Sequence, residues 1–309
     1  MNTAKQPVLL IADAGGEIGF GHLMRCRELA LQIGQLTGRE TIFLVDDSDA
    51  VARIQTAGMR TEWGAFDRDA RTASDGGQSA DVQRLAAGCA YVVLDVFGKR
   101  ELQSGWRARL ERPTVVLDRA VSWAREAELI VIPGVTFPPE WRLPKTLEGS
   151  DTPIHGGSEY VILREEIRTT PRKFSGRDID VLAYLYGESE RATLRAFGDQ
   201  NGLSVHLLEK PADDFPDLLS RSKLFLSGFG ITFYEALHLG TRPVAWPLSD
   251  QHAADASRFF RALGLESAIL SKSTGLDLLL QLLRSDQPLV PTVTDGTPRI
   301  VELLERTLV

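Results

Sequence analysis

The chain has 309 residues, 43% of them hydrophobic and 25% charged, proportions that exclude a disordered, collagen-like or coiled-coil protein. Its 35 lysines and arginines stand against 42 aspartates and glutamates, a net charge of −7, so neither nucleic acid nor an anionic membrane surface is an expected partner. The two cysteines, Cys26 and Cys89, supply neither a disulfide framework nor a metal set, which fits a reduced compartment.

No run approaches the ~18–20 consecutive apolar residues of a membrane span. The apolar stretch Val8-Leu9-Leu10-Ile11 near the N-terminus is too short for a secretory signal. The expected location is the cytoplasm. At roughly 100–200 residues per domain, the length points to two domains.

In chain order, Val8 to Ala12 reads as a strand buried on both faces. A glycine loop follows, and Cys26, Leu29, Ala30, Ile33 and Leu36 then recur at helical spacing up to Gly38. Thr41 to Val45 is the next strand, and Ser48 is the expected cap of the helix carrying Val51 and Ile54. The alternation continues with a strand at Tyr91–Leu94, a helix near 101–110, and strands at Pro113–Leu117, Leu129–Ile132 and Tyr160–Leu163. Arg168 to Arg177, basic and carrying Pro171 and Gly176, is the expected linker and hinge. A second alternating block follows, with strands at Ile179–Tyr186, Leu203–Leu208, Leu224–Leu226 and Pro243–Trp246. Helices are expected near 189–199, 215–220, 232–239 and 252–263, and Ile300, Leu303, Leu304 and Leu308 mark an amphipathic C-terminal helix. Strands alternating with helices predict parallel sheets covered on both faces. The expected division is 1–167 as a sugar-binding, catalytic domain and 178–309 as a nucleotide-binding domain.

Three segments carry candidate chemistry. The first is Asp13-Ala-Gly-Gly-Glu-Ile-Gly-Phe-Gly-His22. Its glycines, Gly19 and Gly21 among them, let the backbone approach a ligand, and a helix N-terminus beyond them favours a diphosphate. No Gly-Lys-Ser/Thr closes the loop, and the spacing is not that of the dinucleotide fingerprint. His22 falls in the first helical turn at a strand's carboxyl edge, where ligands gather in open α/β sheets and where the helix dipole suits an imidazole base.

The second segment is Ser227-Gly-Phe-Gly-Ile-Thr-Phe-Tyr-Glu235. Gly228, Gly230 and Ile231 shape a second anion-friendly loop, Ser227 and Thr232 add hydroxyls, and Glu235 is a candidate acceptor for ribose hydroxyls. The third is Trp246-Pro-Leu-Ser-Asp-Gln251-His252, where Gln251 is a candidate ligand donor. Asp95 and Asp118 end neighbouring strands and suit acid/base work, helix capping being the plainer alternative. His155, His206 and His238 read as structural, and neither cysteine has a partner that would make it a nucleophile.

Ile18-Gly-Phe-Gly-His22 with Arg25-Cys26 and Leu29-Ala30, taken together with the run from Ser227 through Gln251, resembles the pseudaminic-acid pathway UDP-sugar hydrolase and the spore-coat polysaccharide glycosyltransferase-like proteins. Those proteins are related to the lipid II-forming N-acetylglucosaminyltransferase. The resemblance implies a GT-B architecture, two Rossmann-like domains facing across a cleft that holds a UDP-sugar. It implies His22 as the base that activates water for attack on the anomeric carbon, with inversion and release of UDP, Asp13 beside the sugar, and Glu235 at the ribose. It calls for no metal and no cofactor.

Departures from the family pattern fall mostly around the sugar: Ile11 stands in place of an arginine, Asp95-Val-Phe-Gly98 in place of Asp-His-Tyr-Gly, and Arg119 in place of a second aspartate. The leading expectation is therefore a UDP-sugar hydrolase of bacterial surface-sugar biosynthesis. The alternatives are a GT-B glycosyltransferase using an acceptor hydroxyl, and a catalytically idle nucleotide-sugar binder acting through a protein partner.

Overall fold

The computed structural model describes residues 5–15, 20–63, 77–96, 102, 104–118, 122–134, 149–173, 175–185, 187–209, 214–270, 275–285 and 293–309; for 77–81 and 251 it describes the backbone alone. They form two compact units. The first comprises the described residues up to Gly134, 149–164 and Asp295–Val309, and the second those between Glu165 and Thr294.

The first unit begins with β1 (Val8–Ala12), α1 (Gly21–Thr37), β2 (Thr41–Val45), α2 (Ser48–Thr56), β3 (Arg60–Trp63) and α3 (Gly77–Ala87). It continues through β4 (Val92–Asp95), α4 (Trp106–Leu110), β5 (Thr114–Leu117), β6 (Leu129–Ile132) and the short edge strand β7 (Ile154–Gly156). These strands pair in parallel in the order β3-β2-β1-β4-β5-β6-β7. Every residue of β1, β4, β5 and β6 is buried, which is why their sequences are continuous apolar runs rather than alternating ones. The order reverses direction between β1 and β4, so the carboxyl ends of those two strands form the sheet's switch point.

The second unit holds α5 (Glu165–Thr169), β8 (Ile179–Tyr184), α6 (Glu188–Asn201), β9 (Val205–Leu208), α7 (Phe215–Arg221), β10 (Ser222–Ser227), α8 (Thr232–His238), β11 (Arg242–Ala245), α9 (Asp250–Ala262) and α10 (Asp277–Arg284). Its parallel sheet runs β11-β10-β8-β9, with the switch point between β8 and β10. Its core is aromatic. Phe229, Phe233, Tyr234, Phe259 and Phe260 meet edge to face or tilted at centroid distances of 5.1–6.2 Å, the preferred geometry for such rings.

Four expectations are revised. Helix α11 (Thr297–Leu308) packs with the first unit, although the expected boundary placed 178–309 together. Ile300, Val301, Leu303, Leu304 and Leu308 enter the core formed with Leu29, Ile33 and Tyr160, and burying that stripe draws the chain's end back. Tyr160–Leu163 is not a strand but a 3₁₀ turn, Ser158–Tyr160, and a buried extended segment. Its backbone groups bond to the entry of α11, where Val161 O accepts from Gly296 N at 2.7 Å and Asp295 Oδ1 accepts from Leu163 N at 3.2 Å.

The stretch 168–177 is docked rather than free. Arg177 donates to Lys173 O, Leu239 O and Thr241 Oγ1 at 2.8–2.9 Å, satisfying carbonyls left over at a helix end. The cap of α2 is Asp47, whose side chain accepts from Ala50 N at 2.9 Å, and Ser48 is the helix's first residue. The expected helix near 101–110 appears as α4, with residues 101 and 103 outside the described set.

Candidate functional site

At the first switch point β1 hands the chain to Asp13, β4 ends in Asp95, and β5 is followed by Asp118. Strand pairing aligns Ala12 with Asp95 and sets Asp13 N against Asp95 O at 3.2 Å. Three carboxylates therefore share one sheet edge. Helix α1 rises from the same edge with no side-chain cap at Phe20, and its first turns present His22, Arg25 and Cys26.

Those side chains converge on Asp95, which is wholly buried. His22 Nδ1 lies 2.7 Å from Asp95 Oδ1. Two acceptors do not sit at that separation, so Nδ1 donates its proton to the carboxylate and Nε2 becomes the basic nitrogen of the ring. Arg25 grips the same carboxylate with both prongs of its fork, Nε to Oδ2 at 2.9 Å and a terminal nitrogen to Oδ1 at 2.7 Å. Its 3.1 Å approach to His22 Nδ1 follows from both groups donating to one oxygen. Its other terminal nitrogen lies 3.3 Å from Asp118 Oδ2. Asp118 adopts φ +64°, a left-handed conformation that aspartate tolerates better than most residues.

Burial opposes the charge on Asp95, yet the Arg25 guanidinium and the His22 hydrogen bond outweigh it and hold the carboxyl well below the usual range. Burial likewise works against the Arg25 cation, and Asp118 and Asp95 more than compensate, raising its pKa. Burial, then the Asp95 charge, push the Cys26 thiol well up, so Cys26 remains a thiol whose Sγ donates weakly to Asp95 Oδ2 at 3.6 Å. Sequence reasoning identified His22, Asp13 and the carboxylate pair but gave Arg25 no role, because nothing in helical spacing shows which arginine turns inward.

At the second switch point, β10 ends in Ser227 and opens into the Gly228–Ile231 loop ahead of α8. Among the described residues, none accepts a hydrogen bond from the N–H groups of Phe229, Gly230, Ile231 or Thr232, an arrangement that suits an anion. The Ser227 hydroxyl, expected as a ligand donor, instead donates to Gly228 O at 2.9 Å and braces the loop. Glu235 is wholly buried within α8. Gly21 opens α1, and a Cβ there would meet nothing within 4 Å. Gln251 lies in the first turn of α9, its side chain outside the described set, and Gly19 is also outside that set. Beside the loop a small cavity is lined by Tyr184, Leu185, Gly187, Gly228, Trp246 and Leu248 together with the Glu190 carboxylate, a mixed slot at the sheet's carboxyl edge.

No protein-family profile and no curated protein matches the sequence. Solved structures do. MurG of Acinetobacter baumannii superposes with TM-score 0.60 at 15% identity over 97% of this chain and 99% of that one. UGT2 of Phytolacca americana, solved with UDP-2fluoro-glucose and pterostilbene, gives 0.60 at 13% identity over 100% and 94%. A putative UDP-N-acetylglucosamine 2-epimerase of Listeria monocytogenes gives 0.59 at 12% over 98% and 96%. Likeness at such identities shows the fold alone: this chain has the GT-B fold, two parallel-sheet α/β units.

Proposed function

We propose that the protein is a UDP-sugar-dependent glycosyltransferase in which His22 is the general base and Asp95 the residue that orients it. The observation that carries this reading is the 2.7 Å contact between His22 Nδ1 and Asp95 Oδ1 at the switch point of the first sheet. The nucleotide-sugar donor is supported by the structural neighbours, whose names include a UDP-glucosyltransferase and UDP-N-acetylglucosamine 2-epimerases.

In this reading the acceptor hydroxyl gives its proton to His22 Nε2 as its oxygen bonds to the anomeric carbon. The bond from that carbon to the diphosphate breaks, and UDP leaves with the electron pair. A single displacement inverts the configuration. Asp95 and Asp118 against Arg25 leave one negative charge over, which balances the imidazolium formed as the base takes its proton. Asp13, buried at the same edge, is assigned to the sugar. The second unit grips the nucleotide, the uncapped N–H groups of its loop facing the diphosphate, the Trp246–Leu248 slot taking the base, and Thr232 and Gln251 serving the ribose and phosphates, while Glu235, wholly buried within α8, presents no exposed surface to the ribose it was expected to hold.

A second reading, hydrolysis with water in place of the acceptor, rests on the resemblance of Ile18–His22 and Arg25-Cys26 to the UDP-sugar hydrolase. Among the described residues no helix is long and apolar enough to cross a membrane. UDP release from a panel of UDP-sugars, with and without added acceptor alcohols, tests both readings. Release that requires an acceptor and collapses in His22→Ala establishes the transferase, and steady release without acceptor establishes the hydrolase. Native protein that binds UDP yet releases none under any condition would sink both.

A further inference from the structure

Away from the His22 centre, across the first sheet at its β7 edge, the chain forms a solvent-open cleft of about 510 Å³ lined by His155, Tyr160, Arg299, Glu302, Leu303 and Arg306, with Arg299, Glu302 and Arg306 exposed. The volume lies within the range of small-molecule sites. Residues 299, 302, 303 and 306 are spaced i, i+3, i+4 and i+7, so one face of α11 forms one wall while Ile300, Val301, Leu304 and Leu308 anchor the helix in the core. The opposite wall is the edge strand and the 3₁₀ turn after it.

Two arginines dominate the charge. Glu302 sits three residues after Arg299 and four before Arg306, spacings that permit helical ion pairs. Among the described residues, however, neither arginine has a carboxylate oxygen within ion-pair distance. Arg299 instead lies over the Tyr160 ring, 5.1 Å from its centroid, a cation–π contact that positions the guanidinium at the cavity wall. Tyr160 itself is buried, and its hydroxyl lies 3.3 Å from His155 Nδ1. With that hydroxyl donating, the ring proton sits on Nε2 and provides a third donor type. Burial, then the charges of Arg306 and Arg299, lower the His155 pKa.

We infer that this cavity binds a hydroxyl-bearing phosphate ester, its phosphate held by Arg299 and Arg306 and a hydroxyl donated to Glu302. Paired guanidinium forks match phosphate oxygens, and Glu302 is a hydrogen-bond acceptor that an inorganic anion would not use. Neither the fold nor the transferase reading requires the site, and it shares no residue with the His22 centre.

The test uses the full-length protein with glycerol 3-phosphate and glucose 1-phosphate as soluble probes, by calorimetry. Vesicles of phosphatidylcholine with or without phosphatidylglycerol, assayed by sedimentation, form the second arm. Saturable binding in either arm, weakened at least tenfold in Arg299→Gln/Arg306→Gln and severalfold in Glu302→Ala, which removes the hydroxyl's acceptor, supports the site, and the arm that responds identifies a free ester or a lipid headgroup. Among the five histidines, the ring signals of His155, assigned with His155→Gln, should move on titration while those of His22 stay still. The loss in Glu302→Ala, at an exposed position, keeps the test decisive if the double variant does not fold. No saturable binding in either arm, or equal binding by native and double-variant protein, overturns the inference.

Discussion

The two units use the same strand–loop–helix plan at their switch points and fill it with opposite chemistry. The first places His22, Arg25, Asp95 and Asp118 in one hydrogen-bonded ionic cluster around a wholly buried carboxylate. The second offers glycines, backbone N–H groups and a small slot beside an aromatic core, with Glu235 buried behind the loop. A charged cluster that moves protons must be rigid and electrostatically balanced, and it is costly to disturb. A loop that grips an anion through its backbone needs close approach and little else. The fold supplies the geometry of both edges, and in the proposed function the residues at each edge divide proton transfer from ligand grip.

The largest effect that tests this division is on turnover. Asp95→Asn keeps the shape of the carboxylate but alters the hydrogen bonding of His22 Nδ1 and removes the charge that balances the imidazolium. UDP release should fall by about 10²–10⁴, the range for losing an oriented general base, while UDP binding by the second unit stays unchanged in calorimetry. Equal losses of turnover and UDP affinity would break the division.

Next comes stability. Arg25→Met leaves Asp95 buried without its bidentate partner, a change that typically costs about 3–5 kcal/mol, read by urea unfolding. The acid side sharpens the result. Asp95 has a depressed carboxyl pKa in the folded protein, so its contribution to stability is present above the unfolded value of about 3.9 and is lost as the pH falls through that range toward the folded value. Without Arg25 the depression shrinks, and acid unfolding should begin at higher pH than in the native chain. An unchanged acid limb would mean that Arg25 is not what holds Asp95 ionised.

A smaller effect distinguishes the units through the end of the chain. A Cβ on Gly296 would meet Tyr160 Cα at 2.6 Å and the backbone of Glu159, so Gly296→Ala forces apart the contact that docks α11. About 1–3 kcal/mol of destabilisation is expected, as for overpacking. Hydrogen exchange should show it in β1, α1 and α11 and leave β8 and β10 protected as before. Faster exchange confined to the second unit would contradict the placement of α11.

Much of this organisation is legible in the sequence. Strands buried on both faces, such as Val8–Ala12 and Leu129–Ile132, have no alternation to disguise them, and glycine loops after strands mark both switch points. The same signal misleads at Tyr160–Leu163, where an apolar run is buried without sheet pairing because its backbone partners come from residues 295 and 296. Long-range choices are hidden for a common reason. The stripe on α11 shows that the helix must bury a face, but not against which unit. Arg25 looks like any helical arginine until β4 brings Asp95 beneath it, and the prolines and basic residues of 168–177 do not reveal that Arg177 will find carbonyls at a helix end.

The smallest expected change in stability is the cleanest test of the second unit. A Cβ on Gly230 would meet nothing within 4 Å, and its φ is not among the positive ones. Gly230→Ala should therefore leave folding intact or stabilise it by about 0.4–1 kcal/mol through the unfolded chain. If the loop holds a diphosphate by close backbone approach, the added methyl obstructs the ligand alone, and UDP affinity should fall severalfold at unchanged or higher Tm. Unchanged affinity would move the nucleotide away from this loop. The charged cluster of the first unit admits no equally clean experiment, because every substitution there alters folding and chemistry together.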